Sequence, residues 1–331
     1  MISKADSVEI IVLVENWIDM LLPDFERSAS EQSKVGVTRW GLIEHFDKRL
    51  TPPVAENGIS LLVRVTCGER TTTILFDAGL TGTALIHNLR SLQIDPRTIE
   101  HVVISHGHPD HFGGLRALLP ELSPGTPVST HPDAFLPRYA VMGDGRVSAY
   151  YNAALTHDEL VSAGGSPVLS RDPIVVAPGT YTTGEIARSV EFESIVKATE
   201  IGSPGLYQVS HQGEFCTDEV WDEQALVIDV EGEGLIVLTG CGHAGVINTI
   251  LHAKSQFGDR PISAVMGGFH LGFPTTPSAN VSKTIDAFIE MKIPTVVPMH
   301  CSGLRMHSEC AARIPDAYIQ PAVGSRFRFG K

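Results

Sequence analysis

The hydrophobic positions of this chain are gathered into short runs, separated by polar stretches that contain Gly and Pro. The runs are rich in Val, Ile and Leu, and most are followed within a few residues by Gly, Asp, Cys or His. Runs of this length and composition predict buried β-strands. They span residues 8–14, 60–66, 72–76, 101–104, 225–230, 235–238, 262–265 and 295–298.

Between these runs, apolar residues recur at a spacing near 3.6 and predict helices over residues 83–92, 112–119, 246–257 and 281–291. The alternation of strands and helices in the first and last thirds is typical of an α/β sandwich. Two long stretches show a weaker pattern, and long loops in a compact domain often act as lids. We therefore predict a single domain, residues 1–331, with lid-like elaborations at about 17–57 and 123–215.

Composition narrows the classes of function. The chain has 331 residues, 43% of them hydrophobic, and a formal net charge of −13 at pH 7. This acidic balance argues against a nucleic-acid partner, which needs a basic face. The first apolar run is too short for a signal peptide or a membrane span, and the five cysteines contain no CxxC pair. We expect a cytoplasmic protein that binds a small molecule, and the oligomeric state stays open.

The most informative stretch is His-Gly-His-Pro-Asp-His at residues 106–111, directly after a predicted strand. Three imidazoles and a carboxylate within six residues suit neither an apolar core nor a solvated face. Neutral imidazole and carboxylate are good ligands for Zn²⁺ and similar ions. His106 and His108 are two residues apart and can point the same way, whereas Asp110 and His111 can face a second ion. The stretch therefore predicts a metal site.

Further ligands are expected at the ends of other strands. Predicted strands are followed by Cys241 and His243, by His270, and by His300 and Cys301. Strand ends that meet at one edge of a sheet are where α/β proteins place their sites. We predict His243 and His300 as metal ligands. We predict His270 as a residue that contacts either a ligand or the substrate, and the alternative is that His270 is itself a ligand.

These motifs resemble the HxHxDH signature of the metallo-β-lactamase fold superfamily. Asp77, in Phe-Asp-Ala-Gly at residues 76–79, resembles the Asp that supports the metal-binding loop in that fold, and His300 resembles its last histidine ligand. The resemblance implies a four-layer αββα sandwich and a binuclear metal site. Other motifs resemble the branch of dihydropterin-methyl-ribofuranosylaminobenzene-phosphate-synthase-like proteins. They lie at residues 56–61, 131–135, 181–186, 222–226, 240–245, 267–271 and 300–303.

One departure from the superfamily pattern concerns Cys241, which stands where a bridging Asp is usual. The resemblance implies His106, His108 and His243 on one metal. It implies Asp110, His111 and His300 on the other. Cys241 could be a thiolate ligand of the second ion or a small buried residue, and both readings stay open.

The resemblance implies a metal-dependent hydrolase that uses a metal-bound hydroxide on an ester, lactone or phosphoester-type small molecule. Two Zn²⁺ ions are expected, with Mn or Fe as alternatives. Asp110 would act as general base, His270 as the acid for the leaving group, and Asp77 would orient a ligand imidazole.

Two alternatives to the hydrolase stay open. One is a metal-dependent transferase that joins a dihydropterin pyrophosphate to a ribofuranosylaminobenzene phosphate. The other is a non-catalytic metal-binding relative. Arginines that bind phosphate would favour the transferase, and Arg138, Arg146, Arg171 and Arg188 are the candidates in the predicted lid.

Overall fold

The computed structural model describes residues 4–30, 33–41, 51–150, 155–193, 202–258 and 260–331. Its strands are β1 Ser7–Val14, β2 Phe25–Ser30, β3 Ser33–Thr38, β4 Ser60–Cys67, β5 Arg70–Phe76, β6 His101–Val103, β7 Pro127–Thr130, β8 Arg138–Val141, β9 Val147–Ala149, β10 Ser166–Leu169, β11 Val175–Ala177, β12 Thr180–Thr182, β13 Gly205–Val209, β14 Phe215–Thr217, β15 Leu226–Val230, β16 Gly234–Thr239, β17 Ile262–Gly268, β18 Val296–Met299 and β19 Arg326–Gly330. Its helices are α1 Gly82–Ser91, α2 Pro109–Phe112, α3 Leu115–Leu118, α4 His157–Ser162, α5 Val246–Phe257, α6 Ser278–Glu290 and α7 Gly303–Arg313.

Within these described ranges the strands form three sheets. The nine-stranded sheet has the order β10-β7-β6-β5-β4-β1-β19-β3-β2, and the six-stranded sheet has the order β11-β12-β15-β16-β17-β18. A four-stranded sheet, β14-β13-β8-β9, is built from the middle of the chain. The two large sheets stack face to face, and each is covered by helices on its outer face.

The alternation of side chains along the strands explains this layering. On β1, Ile10 and Val12 pack into the core between the two large sheets, whereas Ile11 and Leu13 pack against α1 and its neighbours. On β16, Leu238 faces the inter-sheet core and Val237 packs with α5 and α6. Both faces of these strands are buried, which is why their sequences read as continuous apolar runs. The predicted αββα sandwich is confirmed.

The predicted helix over residues 112–119 is instead two short helices, α2 and α3, separated by Gly113 and Gly114. A Cβ atom at Gly113 would lie 2.0 Å from the carbonyl oxygen of Leu80, and one at Gly114 would lie 2.1 Å from that of Ala78. The glycines thus let the segment after the His-rich loop pack directly on the backbone that follows β5. Close packing, rather than helix propensity, sets the break.

The stretches predicted as lid-like elaborations contain regular structure. Residues 17–57 include β2 and β3, which extend the nine-stranded sheet beyond β19. Residues 123–215 include β7 and β10 of the same sheet and most of the four-stranded sheet. Their strands are short and only partly apolar, so alternation alone did not reveal them. A role as lids stays a prediction.

Three residues at strand ends adopt left-handed backbone conformations that side chains rarely occupy. Asp77 has φ of 58°, His270 of 51° and His300 of 48°. Each follows a strand directly or within two residues, so the chain turns sharply there and directs a polar side chain to the same edge of the sandwich. Such conformations persist where surrounding contacts hold them, and they concentrate at functional sites. Among the residues described, no helix is long and apolar enough to cross a membrane.

Candidate metal centre

The His-rich loop joins β6 to α2 and is buried throughout. His108 lies at the N-cap of α2 and Pro109 begins the helix, so Asp110 and His111 follow on its first turn. His106 and His111 are 0% exposed, and His108 and Asp110 are nearly as buried. A buried cluster of this polarity is costly unless its members bind one another or a ligand.

The structure brings His243 and His300, which come from the six-stranded sheet, to this loop. His106, His108 and His243 present ligand atoms that lie within 4.8 Å of one another, and Asp110, His111 and His300 do the same. We call these sets the first triad and the second triad. They are the two ligand sets implied by the sequence, and their role in metal binding stays a prediction.

Several buried ligand atoms test whether the site fits a metal. His106 Nε2, His243 Nε2 and Asp110 Oδ1 have no hydrogen-bond partner among the described residues. Buried polar atoms are normally paired, so each unpaired atom needs an explanation. Imidazole nitrogens and a carboxylate oxygen in this arrangement are the donors that Zn²⁺ and related ions take. The residues fit divalent metal binding.

Asp77 orients one histidine of each triad. Its Oδ2 accepts a hydrogen bond from His111 Nδ1 at 2.6 Å and another from the Ser105 hydroxyl at 2.7 Å. Ser105 Oγ in turn lies 3.0 Å from His106 Nδ1, which can donate to it. With both Nδ1 atoms protonated, the Nε2 atoms of His106 and His111 are left as lone-pair donors toward a metal. Asp77 therefore has a suitable position for the orienting role that we expected, and that role stays a prediction.

Arg138 fixes His108 and the loop backbone through two aspartates. Its Nε donates to Asp218 at 2.8 Å, and its Nη2 donates to Asp222 at 2.7 Å. Asp218 also lies 3.1 Å from His108 Nε2, and Asp222 accepts from the Gly107 amide at 2.8 Å. His108 therefore presents Nδ1 to the metal site. Arg138 is almost fully buried, and it links the four-stranded sheet to the metal-binding loop.

Glu223 holds the loop that carries His243. Its two carboxylate oxygens accept from the backbone amides of His243, at 2.9 Å, and Ala244, at 2.6 Å. Burial raises the pKa of Glu223, although these two amides oppose the shift. A buried carboxylate therefore positions the backbone at His243.

His300 is positioned by the residues that follow β1. Glu15 accepts from the His300 amide at 2.9 Å, and Asn16 Nδ2 donates to the His300 carbonyl at 3.0 Å. Burial raises the pKa of Glu15 to about 8. These contacts join the end of β1, in one large sheet, to the end of β18 in the other.

The two triads differ in electrostatics. Burial lowers the pKa of His106 and of His243 well below its usual value, so both imidazoles are neutral. Burial also opposes the charged form of His300, but the contacts with Cys301 and with Asp110 outweigh it and raise the pKa of His300 to about 9. His111 follows the same pattern, because Asp77 and Asp110 outweigh burial and raise its pKa.

His270 and two cysteines complete the neighbourhood of the triads. The ring centroids of His270 and His243 are 4.1 Å apart, and His270 Nδ1 is buried without a partner among the residues described. Cys241 Sγ lies 3.0 Å from His111 Nε2, and the Cys301 thiol donates to the Cys241 carbonyl at 3.1 Å. The expected catalytic role of His270 has a suitable position and stays a prediction.

Comparison with known proteins agrees with this geometry. Residues 56–300 match the metallo-beta-lactamase superfamily. The chain belongs to that superfamily. A curated relative from Methanocaldococcus jannaschii, 7,8-dihydropterin-6-methyl-4-(beta-D-ribofuranosyl)-aminobenzene-5'-phosphate synthase, is 31% identical over 288 residues, which cover 87% of this chain and 95% of the relative. The resemblance to that branch is therefore confirmed.

Two solved structures show the same superfamily fold. A metal-dependent hydrolase of the beta-lactamase superfamily is 25% identical, has a TM-score of 0.68, and is matched over 96% of this chain and 98% of its own. A diphosphatase from the PhnP family is 13% identical with a TM-score of 0.50, over 98% of this chain and 97% of its own, and shares the fold.

The four arginines considered as phosphate ligands are each engaged with other groups. Arg138 is buried against Asp218 and Asp222, as described above. Arg146 bonds to Asp144 at 2.7 Å, and Arg171 bonds to Asp133 at 2.6 Å and to Glu185 at 2.7 Å. Arg188 stacks on the Trp221 ring at 4.2 Å and donates to the Val220 carbonyl at 2.8 Å. Each of the four guanidinium groups therefore already has a protein partner.

Sequence reasoning missed the residues that position the ligands: Ser105, Arg138, Asp218, Glu223 and Glu15. Only Glu15 carried a local signal, because it is an acidic residue directly after an apolar strand. The others act across large sequence separations, and their partners follow from the fold rather than from spacing.

Proposed function

We propose that this superfamily member is a divalent-metal-dependent hydrolase that acts on an ester, lactone or phosphoester-type bond of a small molecule. The observation that carries the proposal is the pair of buried triads, whose unpaired ligand atoms converge on one site. Bound in such a pair of sites, divalent ions lower the pKa of water and neutralise charge on a carbonyl or phosphoryl oxygen. The first triad and the second triad would each hold one ion.

The side chains around the triads supply the remaining functions. Asp110 Oδ2 lies 3.2 Å from His300 Nε2, and Oδ1, which has no hydrogen-bond partner among the described residues, lies 3.8 Å from His111 Nε2. The carboxylate can hold a metal through one oxygen and, through the other, orient the attacking water and accept its proton. His270, beside His243, can donate a proton to the leaving group. Asp77, Arg138 and Glu223 keep the ligands in place without touching the reacting atoms.

A second candidate is a transferase that joins a dihydropterin pyrophosphate to a ribofuranosylaminobenzene phosphate. The observation that favours it is the 31% identity to the synthase of that name. The same triads could hold pyrophosphate through their metals. We place it second because the four arginines that would favour phosphate binding are engaged with carboxylates, an aromatic ring or a carbonyl.

Metal content and turnover test both candidates together. Purified protein is analysed for metal per chain, and esters, lactones and phosphodiesters are assayed before chelation, after chelation, and after addition of Zn²⁺ or Mn²⁺. The transferase substrates are assayed in parallel. His157→Ala is the control, because His157 is exposed on α4 and lies in neither triad.

The hydrolase proposal expects about two metals per chain and hydrolysis that chelation abolishes and metal restores. Two metals with pterin transfer and no hydrolysis would replace it with the transferase. Metal with neither reaction would favour the non-catalytic relative.

A further inference from the structure

The Cys241 thiol lies between the two triads rather than beside one of them. Its Sγ is within 4.8 Å of a ring nitrogen of His106 and of His243, which belong to the first triad. It is also within 4.8 Å of a ring nitrogen of His111 and of His300, which belong to the second triad. Cys241 Sγ and His111 Nε2 are 3.0 Å apart and form a hydrogen bond.

Cys301, the other thiol nearby, does not share this position. It is grouped with Cys241 and His300 alone, so its sulfur reaches the second triad and not the first. Its thiol donates to the Cys241 carbonyl at 3.1 Å. Cys301 therefore serves as a natural comparison for Cys241.

Glycines on the neighbouring segments fix the Cys241 backbone in this place. A Cβ atom at Gly268, on the adjacent strand β17, would lie 2.9 Å from Cys241 Cα and 2.8 Å from Cys301 Sγ. A Cβ atom at Gly240 would lie 2.1 Å from Ser105 Oγ. The missing side chains let the backbone at Gly240 pack directly against Ser105 and let Cys241 pack directly against β17.

We infer that Cys241 is a thiolate ligand shared by the two metals, with its single sulfur atom bound to both. A thiolate has more than one lone pair and is a strong ligand for Zn²⁺ and similar ions. On metal binding the thiol proton passes to solvent, and the sulfur supplies negative charge that the first triad otherwise lacks. This inference rests on the metal site of the proposed function and concerns how its two halves are joined.

Cobalt substitution tests the inference through a spectroscopic readout. Metal-free protein is titrated with Co²⁺, and the near-ultraviolet thiolate-to-cobalt charge-transfer band is recorded for the unsubstituted chain, Cys241→Ser and Cys301→Ser. We expect the band in the unsubstituted chain and in Cys301→Ser, and its loss in Cys241→Ser. A band that survives in Cys241→Ser, or no band in the unsubstituted chain, would overturn the inference.

Two further variants separate a shared ligand from a ligand of one metal, and they do not depend on the folding of Cys241→Ser. His243→Ala removes one ligand of the first triad and leaves the second triad intact. His300→Ala removes one ligand of the second triad and leaves the first triad intact. A shared sulfur gives the charge-transfer band with a single bound Co²⁺ in both variants. Loss of the band in only one of them, with Co²⁺ still bound, would show a ligand of one metal.

The outcome is independent of the proposed reaction. A thiolate band in a protein that hydrolyses nothing would support the inference and remove the hydrolase. Hydrolysis by a two-metal protein without a thiolate band would support the hydrolase and overturn the inference about Cys241.

Discussion

The first triad and the second triad hold their ligands in opposite charge states before any metal arrives. Around the first triad, burial keeps His106 and His243 neutral, so both already present lone pairs. Around the second triad, Asp110 and Asp77 supply negative charge, and His300 and His111 hold protons more tightly than usual. A metal at the second triad must therefore displace protons, whereas a metal at the first need not.

Two candidate metal sites at one edge of the sandwich can thus differ in the protonation of their ligands. The first triad contains two neutral, desolvated imidazoles, His106 and His243, at which the ion itself brings the charge. The second triad is an ion-paired network, in which a metal replaces protons that already neutralise carboxylates. We expect the affinity of the second site for metal to depend more steeply on pH.

Removal of a ligand gives the largest effect and tests whether the triads bind separately. We expect His243→Ala and His300→Ala each to lose about one metal per chain and to lower turnover by at least about 100-fold, because a lost ligand costs more than a lost supporting contact. Elemental analysis and the substrate panel measure both quantities. Full metal content in His243→Ala would show that another residue completes the first triad.

Asp77 supports one histidine of each triad, His111 directly and His106 through Ser105. Its substitution should therefore affect both metal sites. We expect Asp77→Asn to weaken metal binding at both sites by about 10–100-fold, because an amide cannot accept from His111 and Ser105 as the carboxylate does. Competition with a chromophoric chelator measures the two affinities. Asp95→Asn, a similar change at an exposed 3₁₀ turn, is the control. An effect on one site only would contradict the shared role.

The charge difference also predicts how metal-free protein responds to alkali. The folded-state pKa of His300 is raised to about 9, and that of Glu15 to about 8. Both groups bind protons more tightly when folded, so the stability they contribute falls as pH rises, from 4.5 through 8 for Glu15 and from 6.5 through 9 for His300. The loss at His300 is at most about 3 kcal/mol. We expect the thermal midpoint in chelator to fall over this range.

Variants assign this fall to one triad. It should shrink in His300→Gln and persist in His106→Gln, because the pKa of His106 is shifted downward and that group stays neutral throughout. Excess Zn²⁺ should oppose the fall, since metal binds more tightly as protons leave the second triad. An equal slope in both variants would refute the assignment.

Ser105 gives the smallest expected effect. Ser105→Ala removes the hydroxyl between Asp77 and His106 but leaves the direct bond between Asp77 and His111. We expect a loss of about 1 kcal/mol in metal binding at the first triad and little change at the second. Isothermal titration of the two sites would detect the asymmetry, and an equal loss at both would contradict it.

The sequence was most informative where chemistry is local. The cluster at residues 106–111 and the long buried strands could be predicted, because alternation and ligand spacing are short-range signals. The strands β8, β9, β13 and β14 could not, since they are short and partly polar. The hydrogen bonds that position the ligands could not be predicted either, because contacts such as that of Arg138 with Asp218 depend on how distant segments pack. Whether Cys241 is a ligand stays a prediction.

The ligands are divided between the two large sheets, and this division bears on the order of assembly. During translation, the four ligands of the His-rich loop are made long before His243 and His300, which follow strands of the second large sheet. Neither triad is complete until that sheet has docked, so the metals cannot act as an early template for folding. They would load into a chain whose tertiary structure is nearly finished, and supply of metal would limit activation rather than folding.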